Sequence, residues 1–166
     1  MTVQLHGASA AVHDHVVGTA GDFDAVRLAI DEADSIEVIT AVVRSNVRSL
    51  AGLAQWLVAP ARRHRITSWT LTWPGPTREG LALPRLGLIA PRVLHAAQLA
   101  RKTGLDVRTR GLPLCVLGPH AQFSVRGSVA AFGDRCQGCT GRERCDGVPP
   151  DYLDVFAADL EFRALS

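Results

Sequence analysis

Along residues 1–110 the spacing of apolar positions switches repeatedly between a period near two and a period of three to four. Val3-Gln4-Leu5-His6 alternates as a half-buried strand does, then runs into Gly7. Over residues 21–34, Phe23, Val26, Ile30 and Ala33 recur three and four apart, which places them on one face of a helix. Residues 35–43 read as a second strand, with Ile36, Val38 and Val42 among its apolar positions, and Leu50, Leu53, Ala54, Leu57 and Val58 mark a second amphipathic helix. The alternation continues with a strand over 66–73, a loop at Pro74-Gly75-Pro76, a helix over 91–103 and a short strand over 105–109. Pro91 suits the first turn of that helix and Gly104 its C-terminal cap.

Strands that alternate with helices of this length predict βα units around a parallel sheet, hence an α/β fold. From Gly111 the texture changes to short strands, glycines and cysteines, closing with a Pro149-Pro150 turn and a short helix near 151–158. Two segments are therefore expected, βα units over 1–110 and a cysteine-rich extension over 111–166. The first strand poses a problem, because a parallel strand is normally flanked on both sides and this one has no strand before it in the sequence. One sheet edge is expected to be open, and an open edge is a place for another chain to add, unless the last strand folds back to cover it.

With 47% hydrophobic and 20% charged residues, the chain has the composition of a folded globular domain. Its longest apolar stretch, residues 50–61, is too short for a bilayer and is interrupted by Gly52 and Gln55. Residues 1–20 lack a basic segment followed by a continuous apolar run, so a cytoplasmic protein without membrane association is expected. The net charge is only +2 and the arginines are spread out without interleaved aromatics, which argues against nucleic acid. The tight basic run Arg62-Arg63-His64-Arg65 reads as a solvated helix end.

The candidate chemistry lies in four cysteines, three of them written Cys136-x2-Cys139-x5-Cys145, with Cys115 upstream. Thiolates are the soft ligands that select zinc or iron–sulfur clusters, and four of them close either site. The cytoplasmic expectation disfavours disulfides. Arg135, Arg142 and Arg144 flank the triplet and are placed to offset the negative charge of a thiolate-ligated centre, while Gly138, Gly141 and Gly147 let backbone amides approach sulfur.

The opening Leu5-His6-Gly7-Ala8-Ser9, then His13-Asp14 and Gly18-Thr19-Ala20-Gly21-Asp22-Phe23, resembles the region around the fourth strand of radical S-adenosylmethionine (radical SAM) enzymes. Thr40-Ala41-Val42-Val43-Arg44-Ser45-Asn46 resembles their fifth strand and its exit. The stretch from Gly104 through Gly111-Leu112-Pro113-Leu114-Cys115, together with the cysteine triplet and Asp146-Gly147-Val148-Pro149-x2-Tyr152-Leu153, is similar to the SPASM and twitch extensions that hold an auxiliary cluster. The resemblance implies the C-terminal half of a partial (β/α) barrel followed by a small cysteine-rich extension. It implies one [4Fe–4S] cluster on Cys115, Cys136, Cys139 and Cys145, with Zn²⁺ as the alternative.

The family holds its catalytic cluster through a CxxxCxxC motif in the first half of the barrel, and this sequence contains none. The resemblance therefore implies a chain that acts with a separate or lost N-terminal half, as a hetero-complex or homo-oligomer, binding S-adenosylmethionine only in the complete assembly. The substrate, a small molecule or peptide, is unspecified. His6 and Arg44, and after them Asn46, fall at strand ends where the family contacts S-adenosylmethionine or substrate. Read from the residues alone, a backbone-bonded histidine and a surface arginine fit as well. Asp14 reads as a helix cap rather than one half of an acid–base pair with His13, and Trp56, Trp69 and Trp73 read as packing residues. The rival functions are a zinc-stapled binding module and a fragment of a full-length enzyme.

Overall fold

The computed structural model describes residues 1–73, 84–127, 131–156, 162 and 165. The elements run β1 (Thr2–Gln4), α1 (Ala10–Val17), α2 (Asp22–Glu32), β2 (Ile36–Ala41), α3 (Leu50–Leu57), β3 (Ile66–Thr72), α4 (Leu86–Arg101), β4 (Asp106–Arg110), α5 (Leu114–Leu117), β5 (Ser124–Val125) and α6 (Pro150–Phe156). All five strands are parallel and lie in the order β1-β2-β3-β4-β5. The α/β expectation holds. No helix among the described residues is long and apolar enough to cross a membrane.

Register decides what each face of the sheet carries. Val38 pairs with Trp69 and Trp69 with Val107, so these three share a face. They lie in one buried cluster with Phe23 and Ile30 of α2, Leu53 and Leu57 of α3, and Ile89, Val93 and Ala97 of α4. The other face carries Glu37, Ser68 and Asp106 in one row, then Ile39, Thr70 and Arg108, then Ala41, Thr72 and Arg110. Glu37, Asp106, Arg108 and Arg110 are exposed there, and burial returns only at Ala41 and Thr72 near the carboxyl ends. A parallel sheet is ordinarily covered on both faces. Among the described residues this one is covered on one.

β1 is an edge strand with β2 as its sole neighbour among the described residues, and β5, the last described strand, pairs with β4 at the opposite edge rather than covering β1. Two helices differ from the sequence expectation. The helix α1 was not anticipated, because its buried residues are His13 and Val16 rather than an aliphatic stripe. The helix α4 begins five residues before Pro91, which therefore lies inside it. Its first turn is held by another element, since the Leu86 amide donates to the Tyr152 hydroxyl of α6 at 2.7 Å. That anchor acts across 66 residues of sequence and carries no local signal. The Pro74-Gly75-Pro76 loop and the end of the 151–158 helix lie outside the described residues.

Among the described residues the extension shares one core with the sheet and its helices. Leu112, Leu114, Leu117, Val148, Tyr152 and Phe162 belong to the same buried cluster as the sheet and its helices. Tyr152 meets Trp73 edge to face at a centroid distance of 5.2 Å, and so docks α6 against the residue that follows β3.

Candidate metal centre

The carboxyl end of β4 leads through Gly111, Leu112 and Pro113 into α5, which carries Cys115. The other three cysteines lie on a chain of tight turns, 3₁₀ at Asp134–Cys136 and again at Arg142–Arg144. Regular secondary structure contributes little here, so side chains fix the path. Asp146 is buried, and its carboxylate accepts the Gly111 amide at 3.1 Å and the Gly127 amide at 2.9 and 3.0 Å. One carboxylate thus ties together the exits of β4 and β5 and the residue after the last cysteine. Ala131 and Val148 form an isolated antiparallel bridge, with amide-to-carbonyl distances of 2.7 and 3.0 Å. Gly147 makes that bridge possible, because it has φ of +68° and a Cβ there would overlap the Ala131 carbonyl oxygen.

All four cysteines line a single cavity with Leu114, Phe132, Val148, Phe162 and Leu165. Its empty space, open mouth included, is ≈ 440 Å³. Backbone amides point at the sulfurs. The Gly147 and Leu114 amides donate to Cys145 Sγ at 3.4 and 3.5 Å, and the Leu165 amide donates to Cys139 Sγ at 3.4 Å. Such donors favour the thiolate, the form that binds metal.

Burial pushes the Cys136 thiol above its ordinary value. The Cys145 and Cys139 sulfurs push it the same way, opposed by the Gly133 amide and the Arg142 guanidinium. Several thiolates in one apolar cavity repel one another, and a cationic metal core among them reverses that penalty. The donor set therefore fits a thiolate-bound metal centre. Among the described residues, however, no three His, Cys, Asp or Glu side chains are grouped as the ligands of one metal ion. Tetrahedral zinc, at about 2.3 Å from each sulfur, requires that convergence.

Of the flanking arginines, Arg135 and Arg142 line the cavity, and Arg142 stacks over Phe132 with its guanidinium carbon 5.1 Å from the ring centre. Arg144 is exposed and is not among the lining residues. The residues that the sequence reading passed over as site builders are Asp146, Phe132 and Leu165. Asp146 directly follows Cys145, and a carboxylate beside a glycine-rich cysteine turn was the one available signal.

The second group of candidates lies at the ends of β1 and β2. His6 is 3% exposed, and its Nδ1 accepts the Ala41 amide at 3.1 Å, which fixes the ring proton on Nε2. Desolvation lowers its pKa to about 4, with His13 adding to the shift and Asp22 opposing it. The His6 amide in turn donates to His13 Nδ1 at 3.0 Å, so His13 presents an N–H at Nε2 to Asp22 Oδ2, 2.7 Å away.

Asn46 is fully buried: its Oδ1 accepts the Val43 amide at 2.9 Å, and its Nδ2 donates to the carbonyls of His6 at 3.0 Å and Ala41 at 2.8 Å. His6 and Asn46 are thus engaged in joining the β1 and β2 exits. Gly7 belongs to the same joint, since a Cβ on it would lie 2.5 Å from the Val12 side chain. Arg44 stands apart from them, exposed, beyond the end of β2.

Asp14 does cap a helix, though not its own. Its carboxylate accepts the Gly21 and Phe23 amides at the start of α2, at 2.7 and 2.8 Å, and these bonds hold its carboxyl below the usual range. Trp69 and Trp73 are buried in the core. Trp56 packs on Phe23 and carries the Arg62 guanidinium 3.9 Å over its ring. No family model, curated protein or solved structure matches this chain.

Proposed function

We propose that this chain is the cluster-bearing half of a radical SAM-type enzyme. It holds one [4Fe–4S] cluster through Cys115, Cys136, Cys139 and Cys145, and works with a partner or an N-terminal half that carries the missing CxxxCxxC motif. The observation that carries the reading is the meeting of Cys115 with the Cys136, Cys139 and Cys145 triplet in one amide-lined cavity at the carboxyl end of a parallel sheet.

The strand order lends support. Strands laid down in sequence order, with the helices on one face, give the connectivity of a (β/α) barrel wall, whereas doubly wound folds reverse direction part-way. A polar, exposed second face and an exposed β1 edge are what a half-barrel presents before its other half closes over it. At the rim, Arg44 is the group we assign to pairing a carboxylate of S-adenosylmethionine or substrate, while His6 and Asn46 hold the strand ends in place.

When bound, a [4Fe–4S] cluster supplies one-electron redox chemistry. Around it the chain supplies four thiolates, amide donors that tune two of them, an apolar wall of Phe132, Val148 and Phe162 that limits water, and the Arg142 cation. Four cysteine ligands leave no iron open for substrate, so the centre suits electron relay or a structural staple.

Anaerobic purification with iron, sulfide and zinc analysis tests the reading. The expected result is about four irons and four sulfides per chain, a broad thiolate-to-iron absorption band, and loss of both in Cys139→Ala. S-adenosylmethionine cleavage is expected only when a chain bearing CxxxCxxC is added. One zinc per colourless chain overturns the cluster and leaves a zinc-stapled binding module. Cleavage by this chain alone overturns the division of labour.

A further inference from the structure

Beside the cysteine cavity lies a second, wider recess, with ≈ 930 Å³ of empty space counting its open mouth. Phe132, Arg142 and Cys145 line both, so the recess abuts one of the proposed cluster ligands. Arg126, Glu143 and Asp146 complete its polar wall. The charges there are unevenly committed. Asp146 is buried and its carboxylate is occupied by the Gly111 and Gly127 amides. Arg126 donates to the backbone carbonyl of Glu143, which fixes the guanidinium at the wall without neutralising it. Arg142 lies over Phe132 and is oriented by the ring face. Among the described residues neither arginine forms an ion pair with a carboxylate.

We propose that this recess is a binding site for a small oxyanion, a carboxylate or a phosphate, held between Arg126 and Arg142 against the Cys145 side of the metal centre. One guanidinium fork is held by a carbonyl and the other by an aromatic face, and both border the same recess, so each can offer a charge-assisted pair to an anion there. Glu143 supplies the opposing charge, which sets the sign of a diagnostic variant. The site adjoins the centre assigned above and rests on that reading only for its functional meaning, since the anion-binding wall is built from protein groups alone.

The test is calorimetric titration of the full chain, as isolated and iron-loaded, with malonate and with inorganic phosphate at low ionic strength, where exposed charges are least screened. Saturable binding is expected, weakened about tenfold or more in Arg126→Gln and in Arg142→Gln, the loss of one charge-assisted pair. Binding in Glu143→Gln is expected to tighten about twofold to fivefold, an effect a purely structural role for this residue would not produce. Preference for malonate over phosphate, or the reverse, identifies which oxyanion the wall takes.

Circular dichroism and iron content are read on the same samples. Absence of binding in a folded wild-type chain, or binding indifferent to both arginine variants, overturns the proposal. Anion binding by a chain that takes up no iron retains this site and removes the cluster, whereas iron uptake without anion binding does the reverse.

Discussion

The two ends of the molecule are held by different physics. The βα layers bury an aliphatic and tryptophan core between one sheet face and α2, α3 and α4, and the sheet ladders satisfy most of their backbone. The cysteine turns have short 3₁₀ segments, one isolated bridge, a single organising carboxylate and amides aimed at sulfur. Hydrophobic burial scales with apolar area, so the first region is stable from its own side chains. The turns over 131–148 contribute only Val148 to that buried core, and the metal centre proposed above would crosslink four points of the chain there. On the proposed reading the layers fold without the metal, whereas the cysteine turns depend on it.

Removing the proposed metal centre is the strongest way to break this contrast. In Cys139→Ala, or after chelation, amide hydrogen exchange across residues 131–148 is expected to rise to near unprotected rates, since small thiolate sites contribute on the order of 10 kcal/mol to ordering. Protection in β2, β3 and α4 is expected to persist. Equal loss in both regions would show that they form one cooperative unit.

The converse variant is Trp69→Ala, at the centre of the layered core, where the indole also donates to Thr40 Oγ1 at 2.8 Å. Urea unfolding is expected to register a global loss of about 3–5 kcal/mol. A loss confined to the extension would invert the comparison.

Asp146→Ala cuts the link between the regions. It removes the charged acceptor of the part-buried hydrogen bonds from the Gly111 and Gly127 amides, at a cost of about 1–3 kcal/mol, and is expected to split thermal unfolding into two transitions. A single transition of unchanged midpoint would show that the bridge and Tyr152 suffice.

The smallest expected effect is one of pH, and it belongs to the layers. His6 titrates near 4 in the folded chain and near 6.5 when unfolded, so below pH 6.5 the unfolded chain gains a proton that the folded one does not. Stability is therefore full above that pH and is lost as pH falls toward 4, by about 2 kcal/mol between pH 7 and pH 5. Urea midpoints at the two pH values are expected to separate less in His6→Gln than in the wild type. An equal separation would place the acid sensitivity elsewhere.

Much of the layered region was legible in the sequence, because apolar period reports directly on which face of an element is buried. The strands and most helices follow that rule, and Asp14 follows the rule for caps. The exceptions have a common cause. A histidine shares the buried face of α1 with a single valine, and a tyrosine hydroxyl 66 residues away holds the start of α4, so neither element announces itself through local hydrophobicity. His6 and Asn46 were legible as polar residues at strand ends. Their engagement with backbone groups of β1 and β2 is set by long-range bonds.

The sequence by itself determined the α/β class, the parallel sheet and the identity of the four thiol residues, since periodicity and ligand type are local properties of the chain. The tertiary structure alone decided that Cys115 joins the triplet in one cavity, that Asp146 organises the turns, that Arg126 and Arg142 border a common recess, and that one sheet face is left polar and exposed. Those are relations between residues far apart in sequence. They are fixed by strand register and by buried polar groups that find partners only when the chain is folded.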